Sequence, residues 1–212
     1  MAPLKSWTKH FSQPGNVESR SIAVGNDGSI YIAGSATLGM HETTKTTNSG
    51  YDAFLVKYDS DGNRDWVKLY ETTGSSSIAR GVATSPDGSI YVAGTQGNSY
   101  QGFLRKYNSR GDVVWSKAVS NNQATCRALA TDNSGNIYIT GKQVGDLHGE
   151  VNNGGSDVYI SKYNSSGERA WTKLIGSPDN DYPAWRNALA VDDSCSRHVF
   201  TTIRATPQAH RG

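Results

Sequence analysis

Apolar and polar positions alternate in short runs along this chain, and the runs recur in a fixed order. In one stretch, "RGVAT" (80–84), "SIYVAG" (89–94), "GFLRKYN" (102–108) and "DVVWSKAV" (112–119) each have the length of a single strand. The second and third of these place aliphatic or β-branched residues at alternate positions against aromatic or polar ones, the period-2 pattern of a half-buried strand. We call the four strands a, b, c and d. Between a and b lie "NDG", "PDG" and "NSG" in successive copies, and between c and d lie "DSDGN", "NSRGD" and "NSSGE". Asn, Asp and Gly tolerate the positive φ that a tight hairpin turn demands, so the pattern predicts four antiparallel strands joined by hairpins.

The pattern repeats. Trp7, Trp66, Trp115 and Trp171 open equivalent segments, spaced 59, 49 and 56 residues apart. That spacing is near the roughly 40–50 residues of four-stranded propeller repeats and too variable for a helical solenoid. Residues 1–194 read as repeat units opening at these four tryptophans, and 195–212 as a degenerate or irregular tail.

The repeated motif is an Ala-x-Asp-x-x-Gly-Asn-x-Tyr-x-x-Gly run, a loop, an Asp-Ala-Phe-x-x-Lys-Tyr strand, then a Gly turn and Trp. It stands here as "ALATDNSGNIYITG", "GGSDVYISKYNSSGERAW" and "GYDAFLVKYDSDGNRDW". In this the chain resembles the bacterial β-propeller repeat family, with its seven-bladed type repeats and NHL-like four-stranded blades. The resemblance covers nearly the whole chain up to Asp193. It implies an all-β fold: a β-propeller or partial propeller of four-stranded antiparallel blades, three complete and a fourth incomplete. That family shares no single activity, so the resemblance carries a fold and no function.

Alternating strand direction puts the a–b and c–d turns on one edge of each blade and the b–c and d–a connections on the other. The second edge gathers every long connection: 12–18, 35–51, 71–78, 95–101, 120–125, 142–156 and 176–185. Variable loops on a rigid scaffold are where binding residues concentrate. His41, Tyr51, Tyr100, His148, Tyr182 and Trp185 fall there and form the candidate ligand-binding set. Exposed Tyr and Trp offer stiff contact area with a polar handle, which suits a protein or carbohydrate ligand.

Other chemistry is sparse. Asp59, Asp61 and Asp65 in "DSDGNRD" resemble the start of a calcium loop, but the later copies put Arg or Ser at the middle acid and no bidentate Glu follows. The turn reading is favoured, and no cofactor is expected. "GMHETT" and "DLHGEV" each set a His near a Glu in long loops of the first and third units, a weak metal pattern with a whole unit between them. No nucleophile elbow, zinc-protease or phosphate-loop motif occurs. The tryptophans and the Lys-Tyr pairs recur at equivalent positions and read as packing between blades. Arg20, Arg80 and Arg127 recur before strand a and read as a shared structural bond to a turn carbonyl or acid of the neighbouring blade.

Composition narrows the classes further. A net charge of +2 over 212 residues gives no steering toward nucleic acid. No run of about 18 apolar residues predicts a membrane span, and the N-terminal segment lacks the apolar core of a secretory signal. Neither feature indicates a compartment. Cys126 and Cys195 fit no metal spacing and read as free thiols.

The fourth copy begins as "ALAVDDS" and then loses its Gly turn and aromatic strand in "CSRHVFTTIRATPQAHRG". Strand counting from the start gives d, three sets of abcd, then a and a doubtful b. A ring closed by mixing the termini would combine strand a near 187–191, b near 198–203 and d near 5–11, leaving strand c missing. Either this is a degraded last blade, or the message changes after Ser194 by frameshift or truncation. Abrupt loss of repeat character favours the second, which makes the chain a fragment of a longer propeller. The functional expectation is a non-catalytic binding or interaction module, a fragment of a larger cell-surface or secreted protein. The alternatives are a propeller-type enzyme with a site scattered over the same loops, and a nonfunctional remnant. Open blade edges would allow self-association.

Overall fold

The computed structural model describes residues 8, 15–37, 50–70, 75–120, 123–183, 189–191, 199–200 and 203–205. Three four-stranded antiparallel sheets dominate them, each built from strands consecutive in sequence. The first blade holds β1 (Val17–Val24), β2 (Ile30–Ala36), β3 (Asp52–Tyr58) and β4 (Arg64–Tyr70). The second holds β5 (Ser77–Thr84), β6 (Ile90–Gln96), β7 (Gln101–Tyr107) and β8 (Val113–Ala118). The third holds β9 (Ala124–Thr131), β10 (Ile137–Gln143), β11 (Asp157–Tyr163) and β12 (Arg169–Ile175). This is an open, partial propeller among the described residues, with the a, b, c and d strands of the three complete units in place. Among those residues no helix is long and apolar enough to cross a membrane.

Four short strands follow: β13 (Asp181–Pro183), β14 (Ala190–Val191), β15 (Val199–Phe200) and β16 (Ile203–Ala205). β14 pairs with β15 as an a strand pairs with b, while β16 pairs with β13. The doubtful b strand near 198–203 therefore touches two separate pairings. The predicted N-terminal d strand around Trp7 lies outside the described residues.

Blades stack through apolar faces. Tyr31, Leu55, Val82, Ile90, Phe103 and Tyr107 fill the space between the first two blades. Tyr91, Leu104, Cys126, Leu129, Ile137 and Tyr159 fill the next. Removing such side chains from water stabilises by roughly 1.5–3 kcal/mol each, which is why strands b and c are buried on both faces while the outer d strands stay wet. Each d-strand Trp leans on the b-strand Tyr of its own blade, with ring centroids 6.2, 6.0 and 6.3 Å apart for Tyr31–Trp66, Tyr91–Trp115 and Tyr138–Trp171. The c-strand lysines lie over the same tyrosines, Lys106 at 5.4 Å from Tyr91 and Lys162 at 5.2 Å from Tyr138.

The inner strands carry one shared irregularity. In β1, β5 and β9 the pairing skips one residue, and that residue is Arg20, Arg80 and Arg127. A bulge leaves its extra residue unpaired and re-aims its side chain. The glycine opposite makes room for it: a Cβ at Gly34, Gly94 or Gly141 would collide with the carbonyl oxygen of Glu18, Ile78 or Thr125.

Candidate functional site

The long b–c loops leave the rim on the edge opposite the tight turns, as strand alternation requires. In the second blade this loop is a short turn in which Tyr100 donates its N–H to the Gly97 carbonyl at 3.2 Å. In the third it is a longer excursion, 144–156, held by its own hydrogen bonds. Leu147 and Glu150 exchange two backbone bonds of 3.0 Å each. The Asn152 N–H reaches Asp146 Oδ1 at 2.9 Å, and the Asn153 N–H reaches Asp157 Oδ2 at 2.8 Å. The loop is thus preorganised by short side-chain acceptors of its own.

Tyr100 and His148 are the two non-glycine residues at positive φ among those described, at 53° and 54°. Residues of this size avoid that region unless the surroundings impose it. For His148 the cause is local: with Gly149 at 89° it forms the centre of a two-residue hairpin, whose twist needs positive φ at both positions. Its Nδ1 lies 3.1 Å from Thr172 Oγ1. Burial, with Arg169 nearby, lowers its pKa and disfavours the imidazolium form.

The other candidates take separate places. Tyr51 is half-buried, its N–H donating to Ser76 Oγ at 3.1 Å and its carbonyl accepting from the Ser77 N–H at 2.7 Å. Tyr182 lies under Lys142, with Nζ 4.5 Å from the ring centroid. His41 and Trp185 lie outside the described residues. Tyr100 stands 61% exposed, and two residues the sequence reading missed stand with it on this rim: Val144 at 38% and Val151 at 70%. Their segment, "QVGDLHGEVNNGG", has no period, so neither valine could be told from a core residue.

The acidic turn is occupied by its own hydrogen bonds. Asp59 Oδ1 accepts the N–H groups of Asp61 and Asn63 at 2.9 and 2.8 Å, and Oδ2 accepts from Asn63 Nδ2 at 3.0 Å. These bonds hold the Asp59 carboxyl below its usual pKa. Asp65 instead pairs with Lys57 at 3.0 Å. Glu150 of the His-Glu pattern pairs with Lys173 at 2.8 Å. Among the described residues no three His, Cys, Asp or Glu side chains converge as a metal site would require.

Two clefts lie away from the loop rim. One of about 270 Å³ sits between the a–b turns of the first two blades, lined by Asp27, Tyr31, Thr84, Asp87 and Ser109. The other, about 300 Å³, opens beside the first bulge and is lined by Ser19, Arg20, Ser21, Ile22 and Ile32. Arg20 departs from the expected link to a neighbouring blade, whereas the Glu18 carboxylate of the first blade acts on Arg80 of the second. Arg20 pairs with Glu18 on its own strand, and Arg80 lies within electrostatic reach of Arg20 and Arg127.

Two family models agree with this architecture. Residues 114–142 match a family model described as a beta-propeller repeat, and residues 85–113 match a beta-propeller domain of unknown function. The chain is 27% identical over 193 residues to the regulatory protein FlaEY of Caulobacter vibrioides, covering 76% of this chain and 20% of that protein. It is 25% identical over 173 residues to an uncharacterized WD repeat-containing protein, L264, of Acanthamoeba polyphaga mimivirus, covering 63% of this chain and 12% of that one. The chain therefore spans a small part of either relative. Among solved structures, the acylaminoacyl peptidase of Pyrococcus horikoshii aligns with a TM-score of 0.49 at 10% identity, covering 91% of this chain and 32% of that one.

Proposed function

We propose that this chain, built of β-propeller repeats, is a non-catalytic binding module whose b–c loop rim receives a protein or carbohydrate ligand. One observation carries the reading: Tyr100, Val144 and Val151 are held out into solvent on loops whose backbones are already hydrogen-bonded. Apolar and aromatic groups presented on ordered loops lose little entropy when a partner covers them. His148 contributes by bracing its loop against Thr172, and Tyr182 by stiffening Lys142. The name of one relative, a regulatory protein, is in keeping with an interaction role.

The test is a screen of the immobilised protein against a glycan array and a displayed peptide library, repeated with Tyr100→Ala and Val151→Ser. The reading expects ligands that both substitutions weaken by about tenfold or more at unchanged Tm, since a single anchoring side chain at an interface contributes at least that much. Turnover of a substrate with no ligand retained, or ligands indifferent to both changes, would overturn it.

A further inference from the structure

Three arginines stand within electrostatic reach of one another on the neighbouring inner strands of the blade arc. Arg20, Arg80 and Arg127 are each the extra residue of a bulge in strands β1, β5 and β9, so one local device aims all three side chains out of the pairing register. Those strands adjoin one another from blade to blade. The Val82 N–H donates to Ser21 Oγ at 3.2 Å, and Thr131 Oγ1 donates to the Thr84 carbonyl at 2.8 Å. The bulges are thereby locked side by side.

Like charges gathered in partly desolvated positions repel unless an anion joins them. Burial, Arg127 and Arg20 together pull the Arg80 pKa down to about 10, which still leaves the group charged at neutral pH. Glu18 pairs with Arg20. Among the described residues Arg80 Nε is buried and makes no hydrogen bond. The 300 Å³ cleft at Arg20 adds the hydroxyl-bearing residues Ser19 and Ser21 to its lining. Guanidinium forks donate to oxyanions two oxygens at a time, with hydroxyls completing the shell.

We propose that the three bulge arginines form a binding site for a phosphate-class oxyanion at the inner edge of the blade arc, separate from the loop rim. The glycines facing the bulges serve the same end, because a Cβ there would strike the strand carbonyls that frame each bulge.

The test titrates the whole protein with inorganic phosphate against chloride at matched ionic strength, following the side-chain Nε–H resonances of Arg80 and Arg127. A phenyl phosphate arm separates a site closed around the free ion from one that takes a phosphoryl group on a larger molecule. The proposal expects saturable shifts with phosphate, weakened about tenfold or more when Arg80→Gln and Arg127→Gln are combined, with Arg80→Lys falling between because it keeps charge and loses the fork. Shifts that chloride reproduces, or none with either phosphate probe, would overturn it. Because the wild-type titration stands alone, a variant that fails to fold leaves the result decisive.

Discussion

Trp66 of the first blade donates its indole N–H to the Ser109 carbonyl in the c–d turn of the second, at 3.3 Å, and Trp115 makes the same bond to Ser165 one blade further on. The repeat thus encodes a link between blades, with the donor in one unit and the acceptor in the next. Trp66→Phe keeps most of the ring and removes the donor, so it should cost about 0.5–1.5 kcal/mol of stability. Urea denaturation checks this through a lower midpoint. A Trp66→Phe midpoint equal to wild type would show that packing on Tyr31 does all the work.

The bulge glycines predict a steeper cost. A Cβ at Gly94 would collide with the Ile78 carbonyl and crowd the Phe103 ring, so Gly94→Ala should destabilise by at least about 2 kcal/mol. Gly88 supplies the control. It sits at φ +79° with open space around it, and Gly88→Ala should cost only about 1 kcal/mol of backbone strain. Thermal unfolding of both variants orders them, and an equal loss would contradict the bulge account.

The turns predict a rescue. In the first blade the carboxylate is at the start and the amide at the end, Asn63 Nδ2 donating to Asp59 Oδ2; in the second blade Asn108 Nδ2 donates to Asp112 Oδ2 at 3.0 Å, and the order is reversed. Either order closes the turn, whereas two carboxylates repel. Asn63→Asp should therefore lower the denaturation midpoint at neutral pH, and adding Asp59→Asn should recover most of it. The double-mutant cycle checks the coupling. The same swap explains why the acidic turn of the first unit looked like a calcium loop.

Cys126 predicts a pH dependence. Its buried thiol shares a 3.1 Å hydrogen bond with the Tyr159 hydroxyl, and burial pushes its pKa up to about 12 from an ordinary 9.0. A raised acid pKa gives stability that is complete below the unfolded value and fades as pH climbs toward the folded one. Wild type should lose stability from about pH 9 to 12 more steeply than Cys126→Ala, by up to one proton's worth of slope. Denaturation midpoints across that window decide it, and parallel curves would contradict the shift.

Much of the fold was legible because its determinants are local. Period-2 runs and Gly turns placed the four strands of the second blade within a few residues and counted the same set in the first and third. The role of the bulge arginines was not legible, since a skipped residue leaves no mark in the hydrophobic pattern. Their recurrence ahead of strand a was visible, but only the register connects Arg80 with Gly94. On the rim, Tyr100 could be placed by its loop, whereas the exposure of Val144 and Val151 depends on how 144–156 folds on itself. The b–c hairpin around His148 likewise follows from paired backbone bonds between Leu147 and Glu150 that no spacing rule announces.

The most direct test of the rim as the binding surface is backbone chemical-shift mapping with a ligand selected on the folded protein. Binding at the rim predicts perturbations concentrated in 97–102 and 144–153, with the turns at 59–63, 108–112 and 164–168 unmoved. Perturbations confined to those turns, with 97–102 and 144–153 silent, would contradict it.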